Sequence, residues 1–160
     1  MERLVKAIDD ANDYQLFNQP FPIEIHETAD QTQVFALLKG IEAGTFSTPH
    51  TRESLALRLT DGHSALVYSS DTGYAEALAE FASGVDLLIL ECSFRRDKPT
   101  PKHLELAEAM RLAKIAEPRK LLLTHLYPEW DGIDIEAQAR QLWPGETIAA
   151  RDGLRLNLQD

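Results

Sequence analysis

The stretch Lys120-Leu121-Leu122-Leu123-Thr124-His125-Leu126-Tyr127-Pro128 restricts the fold more than any other part of the chain. An apolar run with a charged lead-in and a closing proline reads as a strand buried on both faces, the kind found in a parallel sheet covered by helices. In such sheets, ligands gather at the carboxyl ends of the strands. His125 stands at that end. A neutral imidazole there can ligate a metal or act as a general acid or base, whereas a lone one is more often simply hydrogen-bonded. Its meaning depends on what the rest of the chain brings to it.

Taken in order, Arg3 to Ala11 reads as a short amphipathic helix, and Ile23 to His26 as a strand with His26 solvated. Val34 to Leu38 and Ile41 to Phe46, punctuated by Gly40 and Gly44, read as paired strands. Ser54 to Leu59, the turn Asp61-Gly62 and Ala65 to Tyr68 form the clearest hairpin, with His63 exposed beside its turn. A helix is expected over Tyr74 to Ala82, a strand over Leu87 to Leu90, and a helix from Pro101 to Ala116 ended by Pro118. After the strand ending at His125, Ile133 to Leu142 reads as a helix, and Thr147 to Ala150 with Leu154 to Leu158 as a last hairpin around Asp152-Gly153. Hairpins first and strand-helix units later predict an α/β (α+β) protein, a mixed sheet with helices on one face. No repeat or linker divides the chain, so residues 1–160 are expected to be a single domain.

At 160 residues, with 44% hydrophobic and 26% charged residues, the chain can bury a core without disulfides. Its net charge of −10 works against nucleic acid and anionic membrane as partners, since both require a basic field. Cys92 is the single cysteine, which points to a reducing compartment and a small buried core residue. No window has the length of a membrane span and the amino terminus lacks a signal-peptide core, so a cytoplasmic location is expected.

Asp71, Glu91 and His125 each stand at or just past the end of an apolar strand. If those strands are neighbours, their tips lie about 5 Å apart, near enough for one ion to span. His50, in the link before the hairpin, and His103, in the first turn of the following helix, can join them. Imidazole with carboxylate suits zinc, manganese or iron(II). The plainer alternatives are that Asp71 caps the helix near Tyr74, Glu91 pairs with Arg95 or Arg96, and His103 is a wet helix residue.

Read together, Thr48-Pro49-His50, Leu66-Val67-Tyr68-Ser69-Ser70-Asp71-Thr72, Asp86-Leu87-Leu88-Ile89-Leu90-Glu91, His103-Leu104 and Leu121 to Pro128 resemble the carboxyl-terminal half of the metallo-β-lactamase superfamily, in its ribonuclease Z-like branch. The resemblance runs in order from about Ile41 to Leu158. It implies half of an αββα sandwich. It makes His50 a ligand of a first metal, Asp71 a carboxylate bridging two metals, and His125 a ligand of the second. His103 looks like the histidine that assists at the scissile phosphate, so Asp71 and His103 are the implied catalytic residues. Glu91 looks like a residue that orients an imidazole. The function implied is hydrolysis of a phosphodiester or other ester through a metal-bound hydroxide.

Two departures qualify that expectation. The family's HxHxDH motif, which supplies the remaining ligands, is absent, and Ser70 stands where the family has glycine before the aspartate. A complete member holds two ions, zinc or else manganese or iron; this chain is expected to hold at most one, which leaves its activity alone an open question. Its substrate is expected to be a small phosphodiester or ester. A half-sandwich also exposes one sheet face, so a homodimer or a partner chain is expected to cover it. The alternative function is a non-catalytic association module that dimerises through that face.

Overall fold

A computed structural model describes Pro20, Pro22 and residues 34–158. The helix expected at Arg3 to Ala11 and the strand at Ile23 to His26 lie outside the described residues. A seven-stranded sheet organises the remainder, with its strands side by side in their order along the chain. β1 (Val34–Leu38), β2 (Ile41–Ser47), β3 (Leu55–Thr60) and β4 (Ala65–Tyr68) are antiparallel neighbours. β5 (Leu87–Glu91), β6 (Lys120–Thr124) and β7 (Glu146–Ala149) continue from β4 in parallel. The expected mixed α/β fold is therefore observed.

The β3–β4 turn shows why this hairpin is legible. Asp61 Oδ1 accepts the backbone N–H groups of His63 (2.9 Å) and Ser64 (2.8 Å), while Gly62 takes φ 84°. Those backbone bonds hold the Asp61 carboxyl below the usual carboxylate range.

Parallel strands need crossovers, supplied by α1 (Glu76–Phe81), α2 (Leu106–Ala116) and α3 (Ile135–Leu142). Because the strands advance always in the same direction, the right-handed crossover rule sends all three helices to one face. Register confirms the sidedness. Ala56, Val67, Leu88, Leu90, Leu121 and Leu123 alternate along their strands and are buried with Leu78, Met110, Leu112, Ile135 and Ala139 of the helices. The intervening residues form a row across the other face, Leu57, Tyr68, Ile89, Leu122 and Ile148, all half-buried or exposed. That face is apolar and, among the described residues, carries no helix.

Its lower edge is crossed by the end of the chain. The hairpin expected from Thr147 to Leu158 does not form: β7 pairs only with β6, and beyond the Asp152-Gly153 turn there is no strand. Instead Leu158 lies beside Ile41, Leu59 and Leu66, and Lys120 Nζ reaches the Asn157 carbonyl at 3.2 Å. The alternation Leu154, Leu156, Leu158 fits either outcome, and burial on the open sheet offers more apolar contact than pairing at an edge.

Two helix starts also move inward. α2 begins at Leu106, not Pro101, because the Leu104 N–H is given to Glu91 (3.0 Å) and Glu105 and Glu108 form a capping box. α3 begins after Asp134, whose Oδ1 accepts from the Ala137 N–H at 2.9 Å. Among the described residues, no helix is long and apolar enough to cross a membrane.

Candidate metal centre

The carboxyl ends of β4, β5 and β6 lie together at one rim of the sheet, and the expected residues meet there. β4 is followed by Ser69-Ser70, and Ser70 turns left-handed at φ 51°. This is the conformation a glycine would adopt freely and that costs an L-residue about 1–2 kcal/mol. Serine thus keeps the turn that presents Asp71. His125, directly after β6, does the same at φ 55° and leaves the strand direction. The two turns face each other: Asp71 Oδ1 lies 3.6 Å from His125 Nε2, and Asp71 Oδ2 lies 3.9 Å from His50 Nε2.

His50 arrives from the β2–β3 loop and is fastened on its far side. Its Nδ1 is 3.2 Å from Ser54 Oγ, so Nε2 is the nitrogen facing Asp71. Thr48 Oγ1 donates to the Asp71 carbonyl at 2.9 Å, and the Gly73 N–H donates to the Pro49 carbonyl at 3.1 Å. Gly73 also abuts the loop carrying His103, since a Cβ built there would lie 2.1 Å from the Pro101 carbonyl oxygen. Three loops therefore close on one glycine.

Behind them sits Glu91, 1% exposed at the end of β5. Its carboxylate accepts from the N–H groups of Thr72 (2.7 Å) and Leu104 (3.0 Å) and from Ser93 Oγ (2.7 Å). His103 Nδ1 approaches Glu91 Oε1 at 2.9 Å. With every other partner a donor, Glu91 accepts here too, which puts the proton on Nδ1 and leaves the Nε2 lone pair free. Glu91 makes no pair with Arg95 or Arg96. Arg95 Nε reaches Gln138 Oε1 at 3.1 Å, and Arg96 faces Asp97 at 4.0 Å. Nor does Asp71 cap α1, whose N-cap is Ala75 without a side-chain bond.

These separations suit a cation. Two ligands of one tetrahedral zinc, each about 2.0–2.1 Å from the ion, stand roughly 3.3 Å apart. The Asp71 contacts at 3.6 and 3.9 Å are near that spacing and longer than an N–H···O hydrogen bond. One donor atom from each of His50, Asp71 and His103 also falls within 4.8 Å of the others. His103, expected near the scissile bond, is thus within ligating reach. Its ring lies 4.9 Å from that of His50 and 5.4 Å from that of His125, centroid to centroid.

Several residues of this rim went unread in the sequence. Ser54, Ser93 and Gly73 had no motif to mark them. Tyr127 did lie within the opening stretch, and its ring stands 5.3 Å from His125, 5.8 Å from His103 and 4.9 Å from Phe94. The remaining expected singletons are quiet: His63 is exposed, and Cys92 is fully buried, its thiol pushed up by that burial and so held protonated.

The fold and this rim define a metallo-β-lactamase-type protein, and comparison with known sequences agrees. Residues 2–126 match the Beta-lactamase superfamily domain, and the chain belongs to that family. It is 36% identical over 121 residues to the probable metallo-hydrolase YhfI of Bacillus subtilis, covering 71% of this chain and 49% of YhfI. A crystal structure of YhfI superposes with a TM-score of 0.71 at 31% identity, over 78% of this chain and 51% of that one. An uncharacterized protein of Mycobacterium leprae, ML1173, is 39% identical over 113 residues, 69% of this chain and 40% of its own. A ribonuclease Z of Bradyrhizobium is 34% identical over 93 residues, 56% of this chain and 31% of the enzyme. The chain thus spans about half or less of the length of these relatives.

Proposed function

We propose that this chain is a metal-dependent hydrolase of small phosphodiesters or related esters, with His50, Asp71 and His125 as the residues that hold a divalent cation. The observation that carries the reading is the Asp71 carboxylate standing between two imidazole Nε2 atoms at 3.6 and 3.9 Å. Zinc, manganese or iron(II) suits this donor set, and such an ion would supply Lewis acidity toward a phosphoryl or carbonyl oxygen. His103 takes a proton from the attacking water at Nε2 and returns it to the leaving oxygen, while Glu91 holds the ring through Nδ1. Ser54 orients His50 in the same way. Similarity to ribonuclease Z proteins supports a phosphodiester, and the net charge of −10 favours a small one over a long nucleic acid. A single cysteine fits a reducing, cytoplasmic setting.

Zinc and manganese loading of the purified chain, read by elemental analysis after dialysis, tests the reading. About one ion per chain, lost in Asp71→Ala, is expected, with hydrolysis of bis(p-nitrophenyl) phosphate by the loaded protein. No retained metal would sink the site assignment.

One feature favours a second reading, association through the sheet face that no described helix covers. Tyr68 on that face is 42% exposed, and Val34 and Leu38 of the edge strand β1 are 69% and 64% exposed. Apolar surface of this kind favours a second copy or a partner chain. A monodisperse monomer in sedimentation would count against it.

A further inference from the structure

We propose that Lys98 is a positioning residue for His103, the internal post of the loop that carries it; the proposal rests on the proton-transfer role given to His103 above. The loop is pinched shut at its base, where the Phe94 N–H donates to the Leu104 carbonyl (3.1 Å) and the Leu106 N–H to the Phe94 carbonyl (3.0 Å). Between these points Pro99 and Pro101 have no N–H to give, and the Lys102 N–H turns to Thr100 Oγ1 at 3.3 Å. Backbone bonding alone therefore fixes little of the loop.

Lys98 supplies the missing donors from within. Its side chain is only 17% exposed, and Nζ donates to the His103 carbonyl at 3.0 Å and to Glu108 Oε2 at 2.6 Å. Its own N–H points to Glu105 Oε2 at 3.4 Å. Glu105 and Glu108 are the two members of the capping box that starts α2. One lysine thus joins the first turn of a packed helix to the backbone of His103, whose ring is held separately by Glu91. Arg96, three-quarters exposed on the same loop, shows that burying this cation is not forced by composition. An ammonium turned inward onto a carbonyl and one helix-capping carboxylate, with the backbone N–H of the same residue on the other, fixes the height of His103 above the sheet rim.

Imidazole 1H–15N correlation spectra of the full chain, taken without metal and above the ordinary imidazole range, test the proposal. Wild type is expected to show His103 as one tautomer, protonated at Nδ1. Lys98→Met is expected to give averaged His103 signals with His63 unchanged, and Lys98→Arg to restore the single tautomer. If Lys98→Met does not fold, Glu108→Gln, which removes the charge partner at equal size, is expected to shift the His103 signals in the same direction. A folded variant of either kind with lowered Tm and unaltered His103 signals overturns the proposal. Metal retention by wild type, measured separately, decides the hydrolase reading on its own.

Discussion

Glu91 Oε1 lies 2.9 Å from His103 Nδ1, and the carboxylate that makes this contact is 1% exposed. A buried acceptor with four partners ties β5 to the loops on both sides of it, so its removal is a structural event as well as a chemical one. Glu91→Leu leaves the N–H groups of Thr72 and Leu104 without an acceptor. Loss of about 3–5 kcal/mol is expected, as for a buried charged group taken from its partners. The urea midpoint measures it, and a shift below the error of the fit would refute it.

Ser54 and Asp71 should separate orientation from ligation. Ser54→Ala removes the bond at His50 Nδ1 and is expected to weaken zinc binding about tenfold, as for other residues that orient a ligand imidazole. Asp71→Ala is expected to abolish stoichiometric binding. Titration calorimetry distinguishes them, and equal effects would remove the ordering proposed here.

Gly73→Ala forces a methyl group toward the Pro101 carbonyl, which sits 2.1 Å from the built Cβ position. Backbone must move, at a cost of about 1–3 kcal/mol. Because the loops of His50 and His103 both rest on Gly73, metal affinity should fall along with Tm. A variant with native affinity would show that the three loops are not coupled through this residue.

Cys92 is expected to resist alkylation in the native protein. Burial raises its thiol above the ordinary range, so the reactive thiolate is scarce until the chain unfolds. The sign for stability follows: the protonated thiol fits the core fully below the unfolded pKa, and stability falls as pH rises past it toward the raised folded value. Iodoacetamide labelling with and without denaturant, resolved by mass, gives the answer; rapid native labelling would contradict it.

Much of this was legible because strand ends are marked by abrupt changes of residue type. Leu123-Thr124-His125 and Leu90-Glu91 announce where an apolar strand meets the rim, and the structure brings both there. The conformation of Ser70 was not legible, because a left-handed serine reads like any other and only the surrounding loops hold it. The last segment misled for the opposite reason: a period of two in Leu154, Leu156 and Leu158 describes any extended chain with one apolar side. Whether it pairs with β7 or lies on the sheet depends on an open surface that no local pattern encodes. Lys98 carries no signal in the sequence because a charged loop residue is ordinarily solvated, and its inward turn is set by Glu108, ten positions on, while Glu105 holds only its backbone N–H.

The sequential order of the strands has a consequence in time. Each strand pairs with the one made just before it, so no step closes more than a single turn or crossover and the entropic cost, which grows only slowly with length, is modest. The sheet can grow by addition at one edge. The candidate metal centre cannot, since its proposed contributors run from His50 to His125 and the last follows β6. An ion that needs both ends of that span can be captured only late in assembly, after the antiparallel strands and the first two crossovers are in place. Cation uptake would then mark the completion of the rim in a refolding experiment.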